Sequence, residues 1–137
     1  MKRMVAIALF LATVAYANPT EDEPKKDGFL AGVYHLVGSE NNKTYYGVLI
    51  VSHEDGSDII NTVVVVGGST SHGIGIIKGD SISLAWKMTL PAGSVGVTHY
   101  EISKDKKTLT GVWVAPGAET PRREKATFLR PVRDKEI

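Results

Sequence analysis

At 137 residues, with a formal charge of +1 and no cysteine, the chain has room for one modest domain and excludes a disulfide scaffold or a lipid carried on cysteine. The near-neutral balance provides no broad field for gathering polyanions. The one basic cluster, Arg122, Arg123 and Lys125 with Arg130 and Arg133 beyond, is interleaved with Glu119, Glu124, Asp134 and Glu136, so nucleic acid is not an expected partner.

The chain opens like an export signal. Lys2 and Arg3 supply the positive end, Met4 to Val14 an almost unbroken apolar run, and Ala15-Tyr16-Ala17 a small-x-small cleavage pattern. The run is short for a span of about 20 residues, and Asn18-Pro19 follows at once. The expectation is a signal peptide over 1–17, cleavage near Ala17, and a periplasmic or secreted product with no membrane insertion. The mature chain would carry a charge of −1, because Lys2 and Arg3 leave with no acidic residue. Residues 18–28 are polar and hold two prolines, which reads as a flexible N-terminal segment. Residues 29–131 form the expected domain, and 132–137 a C-terminal tail.

Eight strands follow in order. The expected spans are Leu30 to Val37, Thr44 to Ser52, Ile59 to Val66, Gly73 to Lys78, Ser81 to Thr89, Val95 to Ser103, Thr108 to Ala115 and Lys125 to Arg130. Turn signals separate them: Asn41-Asn42, Asp55-Gly56, Gly67-Gly68, Gly79-Asp80, Pro91-Ala92-Gly93 and Pro116-Gly117. No segment carries a sustained helical period with caps. The fifth strand alternates most clearly, with Ile82, Leu84, Trp86 and Met88 on one face. In the sixth, Val95, Val97 and His99 alternate with Gly96, Thr98 and Tyr100. In the seventh, both faces are apolar, so the inward set stays open. The third strand, through Val63 and Val66, is apolar on both faces. It reads either as a central strand covered on both sides or as a subunit interface, and a homo-oligomer joined through Val63–Val66 is one expectation. The spacing suits an all-β, antiparallel, eight-stranded up-and-down barrel.

Glycine beside a large aromatic recurs at Gly32-Val33-Tyr34, Tyr46-Gly47-Val48 and Gly111-Val112-Trp113. In small barrels such a glycine lets the sheet bend or lets a ring cover it. The segment Gly32-Val33-Tyr34-His35-Leu36-Val37-Gly38-Ser39 resembles the first strand of avidin-type proteins, and Gly111-Val112-Trp113 resembles another aromatic-bearing strand of that class. The resemblance is architectural and covers residues 29–131. It implies a calycin-like barrel, avidin-like or lipocalin-like, with a ligand-sized interior. The chain departs from avidin-type proteins in having only two tryptophans, Trp86 and Trp113, and the first-strand aromatic is Tyr34.

The chemical motifs are sparse. His35, His53, His72 and His99 form no close pair, and a metal site would have to assemble across strands with Asp55 or Asp58. His53 to Asp58 lacks the twelve-position pattern of a calcium loop. Gly67 to Gly75 lacks the Gly-Lys-Ser/Thr of a phosphate loop, and Ser69 stands where a nucleophile elbow needs glycine. It reads as a mobile loop at a barrel mouth that would present His72 to a ligand. Catalysis would require His72 or His99 beside a carboxylate and an open pocket. No catalytic residue, metal or cofactor is expected. Aromatic walls with a few polar tips suit an apolar ligand with one oriented polar group. The expected ligand-binding set is Tyr34, Tyr46, Trp86, Tyr100, Trp113 and His72. The expected function is a non-enzymatic exported protein that binds a small, partly apolar ligand. The alternative is a protein-binding or structural module of the bacterial envelope with a filled core.

Overall fold

The computed structural model describes residues 30–54 and 56–132. The proposed signal segment, the N-terminal segment up to 29 and the tail from 133 lie outside the described residues. Eight strands run β1 (Gly32–Glu40), β2 (Lys43–His53), β3 (Ile59–Val66), β4 (Ser69–Lys78), β5 (Ser81–Leu90), β6 (Ala92–Ile102), β7 (Thr108–Val114) and β8 (Arg122–Arg130). Each pairs antiparallel with the next, and β8 closes on β1. The result is an all-β, up-and-down closed barrel with no α-helix among the described residues, consistent with a calycin-like architecture. Closure leaves no free sheet edge, which gives a chain without cysteine a complete backbone ladder.

Three strands start three or more residues earlier than their sequence suggests. β4 begins at Ser69 rather than Gly73, because the turn uses only Gly67 and Gly68, with Gly67 at φ 59°. The expected mobile loop is therefore a tight turn followed by paired strand, with Val66 opposite Ser69 and Val63 opposite His72. Its strand glycines are explained by crowding: a β-carbon at Gly75 would meet the Ser83 carbonyl oxygen at 2.3 Å. β6 begins at Ala92, directly after the cis Leu90–Pro91 bond. β8 begins at Arg122, so the basic cluster is the start of a strand and not a linker. At the first hairpin, Asn41 and Asn42 both take positive φ, the backbone of a two-residue turn that matches strand twist.

The interior changes along the barrel axis. At the end that holds the β2–β3, β4–β5 and β6–β7 connections it is packed solid. Leu30, Tyr34, Val51, Ile60, Ile82, Ile102 and Leu109 are all buried there. Each fully buried aliphatic contributes about 1.5–3 kcal/mol relative to exposure. Tyr34 donates its hydroxyl to the Leu30 carbonyl at 2.8 Å and meets Phe128 edge-on at 5.5 Å. Toward the other end the inner rows open. β3 passes from buried Ile60 and Thr62 to half-buried Val64 and Val66, and β5 from Ile82 and Leu84 to half-buried Trp86 and Met88. The inward set of β7 is Leu109, Gly111 and Trp113.

The outside carries a continuous apolar surface. Register places Ile74, Ala85, Val97 and Val114 side by side across β4 to β7. Ile59, Ile76 and Val95 flank this row, and Ile74, Ile76 and Val97 are each more than half exposed. β3 is held on both sides, by β2 and β4, so Val63–Val66 offers no edge for pairing. Val64 and Val66 line the interior, while Val65 faces out.

Candidate binding cavity

The open end encloses a cavity of about 210 Å³. Its walls hold Trp86 from β5, Tyr100 from β6, Trp113 from β7 and Tyr45 from β2, with Glu124 from β8 and Glu40 at the β1 turn. Leu36, Leu49 and Leu84 are apolar lining residues, and Val64, Val66 and Met88 line the β3–β5 side. Cross-strand glycines give the rings room. Tyr45 covers Gly38, Trp86 covers Gly96 and Tyr100 covers Gly111, each glycine being the ring's direct partner in register. The glycine–aromatic signal therefore operates across strands rather than along them.

The polar groups form one directed network. Trp113 Nε1 donates to the Tyr45 hydroxyl at 2.9 Å, and that hydroxyl donates to Glu124 Oε1 at 2.8 Å. The Tyr100 hydroxyl donates to Glu124 Oε2. Separately, Trp86 Nε1 donates to Thr98 Oγ1 at 3.0 Å. The two indoles meet edge-to-face, with centroids 5.9 Å apart. At the rim, Arg122 lies over Trp113 at 5.5 Å and 3.8 Å from Glu40. Burial raises the Glu124 carboxyl above the usual glutamate range, against the lowering effect of the Tyr100 and Tyr45 hydroxyls. Burial first, and then the Glu124 charge, push the Tyr45 and Tyr100 hydroxyls well up, so both remain protonated donors.

Of the six residues expected from sequence, the fold brings Trp86, Tyr100 and Trp113 together at the cavity. Tyr34 sits at the packed end, fully buried and bonded to Leu30. Tyr46 points outward and stacks on His35 at 6.2 Å. His72 is exposed on the outer face of β4, opposite Val63 and Lys87. Tyr45 and Glu124 were missed. A two-residue turn at Asn41-Asn42 places position 45 opposite Gly38, which singles out Tyr45 over Tyr46. Glu124 continues the inward alternation of Ala126 and Phe128, but the surrounding charges hid the first three residues of the strand, which the sequence places at Lys125 to Arg130.

His99 has the carboxylate contact that catalysis would require. Its Nε2 lies 3.0 Å from Glu101 Oε2, and its Nδ1 lies 3.1 Å from Ser83 Oγ. This trio lies on the outer surface, where the β5 and β6 backbones are tied into the ladder. There Ser83 and His99 line an open, mostly apolar groove together with Ile76, Val97 and Val112. Among the described residues, no three His, Asp or Glu side chains come together as a metal-binding group, and Asp55 lies outside them.

No protein-family model matches the chain, and no curated protein matches it either.

Proposed function

We propose that this is an exported, non-enzymatic binding protein whose barrel acts as a cup for a small, partly apolar ligand, in the manner of avidin-like or lipocalin-like calycins. The observation that carries the reading is the contrast between the two ends. One end is packed shut around Tyr34 and Leu30, and the other holds a cavity walled by four aromatic rings and one buried carboxyl. A barrel that only needed a core would fill both ends alike. Concave, mostly apolar sites with a few placed polar groups are the usual form of small-molecule pockets. Export to the periplasm or medium rests on Lys2-Arg3, the apolar run Met4 to Val14 and Ala15-Tyr16-Ala17.

Native mass spectrometry of the purified protein after exposure to a cell extract tests the reading. A retained small molecule at one per chain is expected. Its loss when Trp86→Ala opens the wall would assign it to the cavity. An empty protein with every extract tried would remove the cup reading.

A second reading, self-association, is favoured by the outer row Ile74, Ala85, Val97 and Val114. A closed barrel cannot pair through β3, so a second copy would pack face to face on this row instead. Contiguous exposed apolar surface of this kind marks interfaces. Sedimentation velocity should give a dimer or larger for the natural protein and a monomer for Val97→Glu. A monomer at all concentrations would exclude it.

A further inference from the structure

The directions of the hydrogen bonds in the cavity restrict its ligand. Both indole N–H groups are spent on wall partners, Trp113 on Tyr45 and Trp86 on Thr98. Both cavity tyrosine hydroxyls are spent on Glu124, one on each carboxylate oxygen. Ser69 donates to the Val66 carbonyl. An ionised carboxylate only accepts, with about four lone-pair sites over its two oxygens, so Glu124 keeps accepting capacity after both tyrosines are served. Around Glu124 the wall therefore offers a ligand acceptors, while the hydroxyls of Thr62, Ser71 and Thr98 elsewhere in the lining can donate or accept.

Charge points the same way. The ionisable lining residues are Glu40, Glu124 and the two tyrosines; Arg122 stands at the rim, over Trp113 and 3.8 Å from Glu40, so Glu40 is already paired and Glu124 is the charge that a ligand meets inside. An anionic ligand would face like charge in a desolvated setting. A cation would meet a carboxylate among four aromatic rings, and cation–π attraction in a desolvated setting reaches about 2 kcal/mol. The cavity is also compact: about 210 Å³, against roughly 150 Å³ for a cavity that holds benzene.

We propose that the cup binds a compact amine, one ring or a short alkyl chain bearing an ammonium group, with the ammonium donating to Glu124 and the apolar part lying against the Trp86–Trp113 pair. This inference rests on the ligand-cup reading and narrows it. The ammonium would compensate the buried carboxylate, whose charged form burial disfavours.

Isothermal titration with three matched probes tests it: phenethylamine, 2-phenylethanol and 3-phenylpropanoate. The amine should bind at least about tenfold more tightly than the alcohol, the scale of one hydrogen bond to a charged group, and the anion should not bind. Amine affinity should rise as pH increases through the titration of Glu124, while alcohol affinity stays flat. Glu124→Gln should cost the amine about tenfold and leave the alcohol nearly unchanged. Glu40→Gln, which spares the tyrosine–Glu124 network, should cost the amine less, and it keeps the charge test available if Glu124→Gln fails to fold. Equal binding of amine and alcohol, with no pH dependence, would overturn the amine assignment and leave the cup standing. No saturation by any amine, benzylamine and hexylamine included, would overturn the amine assignment, while the cup reading falls only if native mass spectrometry also finds the protein empty with every extract.

Discussion

Trp86 lies against Gly96, its partner across the β5–β6 ladder, so closely that a β-carbon at position 96 would come within 2.2 Å of the indole Cζ2. Tyr45 on Gly38 and Tyr100 on Gly111 repeat the relationship. Three walls of the cavity are thus rings seated on bare backbone, which holds them flush with the barrel wall and leaves the lumen open.

Gly96→Ala should force the Trp86 ring inward, shrink the cavity and lower stability by about 1–3 kcal/mol, the usual cost of overpacking. Gly68→Ala, where a β-carbon meets nothing within 4 Å, should change stability by no more than about 0.5 kcal/mol. Chemical denaturation of the two variants side by side checks this, and the Trp emission of Gly96→Ala should shift.

Thr98→Val keeps the shape of the side chain but removes the acceptor of Trp86 Nε1. Leaving that indole N–H unpaired should cost about 1–3 kcal/mol. In the Trp86→Phe background, the same change should cost much less. A double-mutant cycle by urea unfolding measures the difference, and equal costs in both backgrounds would break the assignment of this pair.

Glu124 should leave a signature in the pH dependence of stability. Its folded pKa is raised, with burial the largest cause, so the folded protein retains this proton at pH values where the unfolded chain has lost it. The contribution is full below the ordinary glutamate value of about 4.3 and is lost as pH rises through the raised value. Glu124→Gln removes that loss. Relative to the natural protein, the variant should therefore gain stability as pH rises from about 4 and level off once the raised value has been passed. A difference that stays constant above the ordinary glutamate value would mean that Glu124 titrates normally.

Tyr34→Phe separates the packed end from the cup. It removes the hydroxyl bond to the Leu30 carbonyl, and the net loss of one such bond is about 0.5–1.5 kcal/mol. Ligand affinity should stay unchanged, since Tyr34 does not line the cavity. A drop in affinity comparable to that of Trp86→Ala would return Tyr34 to the binding set.

Much of the barrel is legible in the chain because its signals are local. Asn41-Asn42, Gly67-Gly68 and Gly79-Asp80 each end one strand and begin another within two residues, and the alternation of Ile82, Leu84, Trp86 and Met88 is a property of one strand alone. Where both faces of a strand are apolar or both are small and polar, the alternation says nothing about direction. Tyr45 and Tyr46 are adjacent in a strand flanked by Val48, Leu49, Ile50 and Val51, whose own alternation does not choose between them; the hairpin register from Asn41-Asn42 sets Tyr45 on Gly38 and leaves Tyr46 beside His35. His72 faces outward, likewise in a strand whose two faces carry serine, threonine and glycine. The carboxyl at the centre of the site is a matter of long-range geometry. Glu124 meets Tyr45 across 79 residues and Tyr100 across 24. That meeting, and the direction in which each proton points, exists only once β2, β6, β7 and β8 share one wall. Period and turns thus determine how many strands there are and where they break, while closure decides which side chains meet inside, because an inner face is defined only by the strands opposite it.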